Sequence, residues 1–188
     1  MAKGSPAAAI VDGVLGYEEK ARLIRPHLEV LTSKSPQTAE ARAKALQILG
    51  RLPGGDPGNG QLVFKRVCAA CHKVGTDGAT LGPALAGVGS RLKPAKIVES
   101  IVDPNAEVAE QYLSTSVLTD DGRSIVGLVV SETPESLVIF DGKEQRTIRV
   151  AEIDERTKLR QSSMPDGLAA TLAPHELLDV IAFLKSLK

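Results

Sequence analysis

The sequence predicts a mainly helical protein of the α+β class. Apolar residues recur at helical spacing near both ends of the chain, in residues 17–52 and again after Pro174. Between these regions, residues 112–152 change to short β-branched runs separated by turn residues, which predicts a small antiparallel sheet. The chain is 43% hydrophobic and 24% charged, as expected for a globular protein. We therefore expect helices at both ends and a β-stranded insertion between them.

Residues 1–53 are predicted to form an N-terminal helical extension. Ser35 suits an N-cap and Pro36 the first position of a helix that reaches about residue 52. The preceding stretch, YEEKARLIRPHLEVL, predicts one kinked helix or two short ones, because proline disrupts a helix interior. Two such helices resemble a single HEAT-type unit, which cannot bury both of its faces alone. We expect a hairpin that packs against the next domain.

A second domain is predicted over residues 54–188. The turn-rich stretch LPGGDPGNG marks its start, and a helix begins near Gly58 and continues through GQLVFKRVCAAC. A glycine-rich loop follows, and Pro94 then opens a helix, KPAKIVESIVDP. The last helix has Pro174 early, acidic residues near its start and lysines at its end, which suits the helix dipole.

The insertion at residues 112–152 contains four β-type runs: YLSTSVL, RSIVGLVVS, SLVIF and QRTIRV. They are separated by TDDG, ETPE and DGKE, which suit tight turns. These patterns predict three or four antiparallel strands. The chain is then expected to return to a loop, RQSSMPDG, before the last helix.

Both cysteines of the chain, Cys68 and Cys71, lie three residues apart, and His72 follows directly. C-x-x-C-H is the attachment pattern of c-type haem. Cysteines at this spacing project to one side of a helical turn, where each can bond a porphyrin vinyl group while the histidine reaches the iron. A zinc site usually needs further Cys or His ligands, and a thioredoxin-type pair a βαβ setting, whereas a plain disulfide remains open. We predict one covalently attached haem c.

A low-spin iron needs a sixth ligand, and Met164 in SSMPDG is the only methionine besides Met1. Thioether sulfur is a soft ligand, and His/Met ligation raises the reduction potential of the iron. The alternative is that Met164 merely fills a loop or core position. Two histidines compete for the same role, His27 in the helical extension and His175 in the first turn of the last helix. We predict Met164 as the ligand.

The stretch from Gly58 to Lys188 resembles the monohaem cytochrome c family. The resemblance is carried by GQLVFKRVCAACHKV, LGPALAGVGSRL, MP and ELLDVIAFLKSL. The same stretch resembles the planctomycete and verrucomicrobial type of cytochrome c more closely still. That type has a β-rich insertion before the methionine, which corresponds here to SIVDPNAEVAEQYLSTSVLTDDGRSIVGLVVSETPESLVIFDG. The resemblance implies a cytochrome c-like helical haem domain. Its first and last helices would cross at Gly60 and Phe64, with Phe183 as the partner ring.

The resemblance also implies roles for two residues beside the haem. The carbonyl of Pro83 would accept a hydrogen bond from the free ring nitrogen of His72, which would fix the imidazole and make it more electron-donating. Arg91 could pair with a haem propionate, an ordinary solvated arginine being the alternative. The long separation between His72 and Met164 departs from common cytochromes c, and the predicted strands account for it.

These features predict an electron-transfer protein rather than an enzyme. With both axial positions of the iron filled, no position is left for a substrate, and a single electron can pass through the haem to redox protein partners. The resemblance suggests that the protein accepts electrons from a periplasmic dehydrogenase and passes them to a cytochrome or oxidase. The alternative is a peroxidase-like enzyme or a protein that binds NO or CO after Met164 leaves the iron.

Composition excludes some other classes of protein. Lys plus Arg and Asp plus Glu both total 23, which disfavours a nucleic-acid binder. No apolar run reaches membrane-spanning length. The start, MAKGSPAAAIVDGVLGYEEK, makes a poor signal peptide. Since haem c is attached outside the cytoplasm, we expect a periplasmic or otherwise exported protein whose signal peptide is absent from this sequence. The sequence does not fix the oligomeric state.

Overall fold

The computed structural model describes residues 16–33, 37–52 and 54–188. The chain forms two compact units. The helical unit contains the residues up to Asp103 together with Gly167–Lys188, and the sheet unit contains Pro104–Asp166. The predicted α+β class is confirmed, since helices accompany an antiparallel sheet of five strands.

The α-helices that the structure describes all belong to the helical unit. Their bounds are α1 Tyr17–Thr32, α2 Ala39–Arg51, α3 Pro57–Val63, α4 Val88–Arg91, α5 Pro94–Val102 and α6 Pro174–Ser186. A π-helical turn, Phe64–Cys68, continues α3 directly. Short 3₁₀ turns lie at Glu110–Tyr112, Val150–Glu152 and Leu168–Thr171.

The two N-terminal helices differ from their predicted form in detail. Helix α1 passes through Pro26 without ending there, so of the two predicted alternatives the stretch forms one helix rather than two. Helix α2 is capped by Thr38, whose Oγ1 accepts a hydrogen bond from the backbone N–H of Ala41 at 3.1 Å. The predicted start was therefore too early, and Ser35 and Pro36 themselves lie outside the described residues.

One hydrophobic core runs through the helical unit. Ile24 of α1 and Leu49 of α2 are fully buried in the same cluster as Phe64 and as Leu177 and Ile181 of α6. The N-terminal helices thus bury their apolar faces on the core that also carries the C-x-x-C-H segment. Apolar burial of this kind is the main source of helix stability in a folded protein.

Helices α3 and α6 cross at Gly60. A Cβ atom at this position would lie 2.0 Å from the carbonyl oxygen of Asp179, so only glycine allows the two backbones to approach this closely. The rings of Phe64 and Phe183 pack beside the crossing, with centroids 5.5 Å apart and planes tilted by 47°. Two further glycines approach the backbone of α6 in the same way: Gly55 and Gly89.

The sheet unit is a five-stranded antiparallel sheet in the order β4-β3-β2-β1-β5. The strands are β1 Leu113–Thr119, β2 Ser124–Glu132, β3 Ser136–Phe140, β4 Gln145–Arg149 and β5 Ile153–Ser162. Their register brings one set of side chains to a common face, where Val117, Leu137, Ile139 and Ile148 form a small buried cluster.

Strand β5 was not predicted, and the sheet extends beyond the expected limit at residue 152. Its sequence, IDERTKLRQS, has few apolar residues, and only Ile153, Leu159 and Ser162 are partly buried. The strand pairs with β1 along one side only, with Arg156 opposite Val117. Charged residues are common on such an edge strand because they discourage pairing with a second molecule. A search of the sequence for alternating apolar residues therefore misses strand β5.

Candidate haem site

The helix that leads into the C-x-x-C-H motif is anchored at its start. Asp56 caps α3, since its Oδ1 accepts hydrogen bonds from the backbone N–H groups of Gly58 at 2.7 Å and Asn59 at 3.2 Å. The backbone N–H of Asp56 in turn donates to Oδ1 of Asp179 on α6 at 2.8 Å. The start of α3 is thereby tied to the last helix.

A π-helical turn brings the first cysteine into the site. The backbone N–H of Ala69 donates to the carbonyl of Phe64 at 2.9 Å, one residue further back than in an α-helix. The N–H groups of Cys71 and His72 then both donate to the carbonyl of Cys68, at 3.1 and 2.9 Å. The motif is thus folded into one compact turn, and π-helical turns are frequent at functional sites.

The His72 ring has a defined orientation. Its Nδ1 lies 2.9 Å from the carbonyl oxygen of Pro83. Because a carbonyl oxygen only accepts, Nδ1 carries the hydrogen and the lone pair is on Nε2. Burial lowers the pKa of His72, and the hydrogen bond to Pro83 opposes this shift in part. The neutral ring with a free Nε2 is the form in which histidine binds a metal.

Gly82 leaves the space that the His72 ring fills. A Cβ atom on Gly82 would lie 2.7 Å from Cε1 and 2.9 Å from Nδ1 of the ring. Its backbone N–H donates to the carbonyl of Cys71 at 2.7 Å, which holds the peptide beside the motif. No role for Gly82 was predicted, and the only signal in the sequence is its place directly before Pro83.

The loop after His72 is fixed mainly by backbone groups. Gly78 has a φ of +96°, and a Cβ atom there would lie 2.0 Å from the carbonyl oxygen of His72. Further on, the backbone N–H of Leu85 donates to the carbonyl of Lys73 at 2.9 Å. A glycine is needed at residue 78 both for its left-handed backbone and for the close approach.

Arg91 bonds to the end of this same loop. Its Nη2 donates to the carbonyls of Ala84 and Ala86, each at 3.0 Å, and its Nε donates to that of Gly87 at 3.4 Å. The guanidinium group therefore closes the turn that follows Pro83. The predicted pairing of Arg91 with a propionate stays a prediction.

The two cysteines are half-buried thiols and are not joined by a disulfide. Burial raises the pKa of Cys68 to about 11, and the neighbouring Cys71 adds to this shift. Burial also raises the pKa of Cys71. A thiol–disulfide redox pair needs a lowered pKa on its attacking cysteine, so the direction of both pKa shifts does not fit that rival interpretation of the motif.

The candidate sixth ligands lie in different parts of the chain. Met164 belongs to the sheet unit, follows β5 and is half-buried. His27 lies on α1 and His175 in the first turn of α6, both half-buried in the helical unit. Within the described ranges, no group of three or more His, Cys, Asp and Glu side chains is placed to hold a metal ion.

The described residues fit a c-type haem. The histidine ring presents a free nitrogen, two thiols stand on the adjoining turn, and a glycine accommodates the ring. Residues 58–113 match the family model named Cytochrome c. This segment of the chain is similar to cytochrome c domains. Such a domain carries a covalently attached haem c with its iron, and the C-x-x-C-H motif at residues 68–72 lies within the matched segment.

A curated relative matches a shorter part of the chain. Over 35 residues the chain is 60% identical to cytochrome c2 iso-2 of Rhodospirillum centenum. The aligned stretch covers 18% of this chain and 28% of the relative, so it spans less than a third of that protein. Among the helices that the structure describes, none combines the length and apolar character needed to cross a membrane.

Proposed function

We propose that this protein is a monohaem cytochrome c that carries single electrons between redox partners. The observation that carries the proposal is the placement of His72. Its Nδ1 is held by the carbonyl of Pro83, its ring lies against Gly82, and it adjoins both thiols. The match of residues 58–113 to the cytochrome c model supports the same class of protein.

In this proposal, Cys68 and Cys71 would hold the haem through thioether bonds, and Nε2 of His72 would bind its iron. The bound haem supplies an iron that gains or loses one electron. The hydrogen bond from Nδ1 to Pro83 makes the imidazole a stronger electron donor and fixes its orientation. The partial burial of the ring limits the access of water, which also affects the potential.

Met164 is proposed as the second axial ligand. Apart from Met1, it is the only methionine, and it occupies an ordered turn of the sheet unit. If His72 and Met164 both hold the iron, no position would be left for a substrate, so we propose electron transfer rather than enzymatic activity. If the sixth coordination position of the iron proves open, the alternative function is favoured, namely a haem enzyme or a gas-binding protein.

The proposal extends to the family type and the setting. The sheet unit, Pro104–Asp166, lies between the C-x-x-C-H motif and the last helix and includes Met164, as in the planctomycete and verrucomicrobial type. We place the protein in the periplasm or in another exported location because haem c is attached outside the cytoplasm. A periplasmic dehydrogenase is the proposed electron donor, and a cytochrome or oxidase the acceptor.

The first test is made on protein matured in a host that attaches haem c. The pyridine adduct and the mass should show one covalently bound haem, and Cys68→Ala with Cys71→Ala should abolish this attachment. The ferric protein should show the weak far-red band of methionine ligation. A correctly matured preparation without any haem would overturn the proposal.

The second variant, Met164→Leu, keeps the side-chain volume and removes the sulfur. Its haem should remain attached, the far-red band should vanish, and the midpoint potential should fall. Cyanide affinity of the ferric protein should rise by roughly tenfold or more, because the methionine no longer competes for the iron. An unchanged spectrum and an unchanged potential would show that Met164 is not a ligand of the iron. Tight CO binding by the unmodified protein would favour the gas-binding alternative.

A further inference from the structure

Asn105 joins the two ends of the segment that carries Met164. Its side-chain Oδ1 accepts a hydrogen bond from the backbone N–H of Ser162 at 2.7 Å. Its Nδ2 donates to Oδ1 of Asp166 at 2.6 Å. Met164 lies midway between these two contacts, and all four residues belong to the sheet unit.

The chemistry of the partners fixes which way the Asn105 amide points. The backbone N–H of Ser162 can only donate, so the amide oxygen must face it. The carboxylate of Asp166 only accepts, so the NH₂ group must face Asp166. The Asn105 amide therefore accepts one hydrogen bond and donates the other, and the reversed orientation would make neither bond. The bond to the carboxylate is charge-assisted, and both side chains are exposed.

The rest of the segment is also held by polar contacts. The backbone N–H of Met164 donates to Oγ of Ser162 at 3.1 Å, and that of Ser163 donates to the carbonyl of Tyr112 at 3.0 Å. The buried apolar cluster of the sheet unit consists of other residues: Val117, Leu137, Ile139 and Ile148, with Ile125, Val129 and Ile153 beside them. The segment is therefore ordered by hydrogen bonds, of which the pair made by Asn105 spans it.

We propose that Asn105 is a positioning residue for Met164. It acts through Ser162 and Asp166 and holds the turn at residues 162–166 closed. The thioether sulfur of Met164 is thereby presented in one orientation. This inference rests on the proposed function, in which Met164 is an axial ligand. A turn that is already ordered loses less conformational entropy when the sulfur binds the iron, so Asn105 should favour the ligated state.

The test uses the haem-loaded protein and the variant Asn105→Asp. The new carboxylate can still accept from Ser162 N–H, but it faces the carboxylate of Asp166 where the amide NH₂ stood. The two charges repel, and the turn should open. Cyanide affinity of the ferric protein should rise about tenfold, which corresponds to about 1.4 kcal/mol. The far-red band should weaken.

A second change should restore the turn. In the double variant Asn105→Asp with Asp166→Asn, the amide and the carboxylate exchange places. The carboxylate at residue 105 then accepts from both Ser162 N–H and the amide at residue 166. Cyanide affinity and the far-red band should return to within about twofold of the unmodified protein. Failure of this exchange to restore them would overturn the proposed pairing.

Gln161→Glu is the matched control because it adds the same charge on an exposed side chain three residues before Met164. It should leave cyanide affinity unchanged, and an effect equal to that of Asn105→Asp would overturn the proposal. Thermal unfolding, followed in parallel, shows whether each variant is folded. In the Met164→Leu background, Asn105→Asp should have no effect on cyanide affinity, since no sulfur competes there.

The outcomes separate the two proposals. If Met164→Leu changes neither the band nor cyanide affinity, Met164 is not a ligand and the inference about Asn105 is overturned with it. If Met164→Leu acts as expected while Asn105→Asp leaves both readouts unchanged, the electron-carrier proposal stands and only the role of Asn105 is overturned. Weakening of the band in Asn105→Asp, with its recovery in the exchange, supports both proposals.

Discussion

His72 and Met164 lie on segments that are held in different ways. The His72 segment is fixed by backbone groups close to it in sequence: the carbonyl of Pro83 and the peptide of Gly82. The Met164 segment is spanned by the side chain of a residue far away in sequence: besides the backbone bond from Ser163 to Tyr112, Asn105 contacts positions 57 and 61 residues later. One segment is a local backbone structure, and the other is a long-range side-chain structure.

This difference affects how each segment can change. A backbone carbonyl remains whatever side chain residue 83 carries, so the hydrogen bond to His72 depends on the path of the chain rather than on one side chain. The contacts of Asn105 disappear with a single substitution. The histidine side should therefore be sensitive to glycine replacements that alter the path, and the methionine side to exchange of polar side chains.

The largest effect is expected for Gly82→Ala. The added Cβ would lie 2.7 Å from Cε1 of His72, so the ring or the loop must move. We expect a loss of about 1–3 kcal/mol of stability, as for other overpacked sites, together with an altered haem spectrum. Thermal unfolding and the optical spectrum of the haem-loaded protein measure both.

Gly75→Ala is the control for this prediction. It lies in the same loop with nothing within 4 Å of the added Cβ, but its φ of +57° is unfavourable for alanine. It should cost about 1 kcal/mol through the backbone and leave the spectrum unchanged. If Gly82→Ala behaves no differently from Gly75→Ala, the close packing on the histidine ring has no consequence.

A smaller effect is expected for Arg91→Ala. This change removes the donors to the carbonyls of Ala84 and Ala86 and should loosen the turn after Pro83. The amide of Leu85, which donates to the carbonyl of Lys73, should then exchange its hydrogen about five to ten times faster. This corresponds to a decrease of about 1 kcal/mol in the free energy of local opening. Hydrogen exchange measured by NMR checks this. Lys93→Ala, which removes an exposed positive charge nearby, should not change that rate.

The smallest effect concerns the anchor at the start of α3. Burial raises the pKa of Asp179, and the charge of Asp56 adds to this, while the N–H of Asp56, His175 and Lys20 oppose it. An acid with a higher pKa in the folded chain adds stability at low pH, and this is lost as pH rises through the folded pKa. The advantage in melting temperature of the unmodified protein over Asp179→Asn should therefore shrink as pH rises above the ordinary aspartate pKa of about 4. A difference that stays constant with pH would contradict this.

The sequence was sufficient for features that depend on local pattern. The spacing of Cys68, Cys71 and His72 predicted a haem c, which the match to cytochrome c also indicates. Pro94 and Pro174 open helices as expected. The helix crossing at Gly60 was expected from family resemblance, and the structure has α3 and α6 in close contact there.

Other features depend on contacts that no local pattern contains. Strand β5 was missed because its pairing with β1 rather than its own apolar residues makes it a strand. Pro26 was expected either to kink α1 or to divide it in two, and the structure has one continuous helix. Ile24 and Leu31 are buried in the core on either side of Pro26, and such packing outweighs a local preference. Asn105 gave no signal, because a single polar residue after a proline is common in turns.

The close contact of α3 with α6 has a consequence for the order of folding. Asp56 and Asp179 are 123 residues apart, yet they meet where the two helices join. During synthesis, the thiol-bearing turn leaves the ribosome long before its partner helix, and all five strands emerge in between. Closing so long a loop is slow, so the cysteines spend that interval without the packing that later shields them.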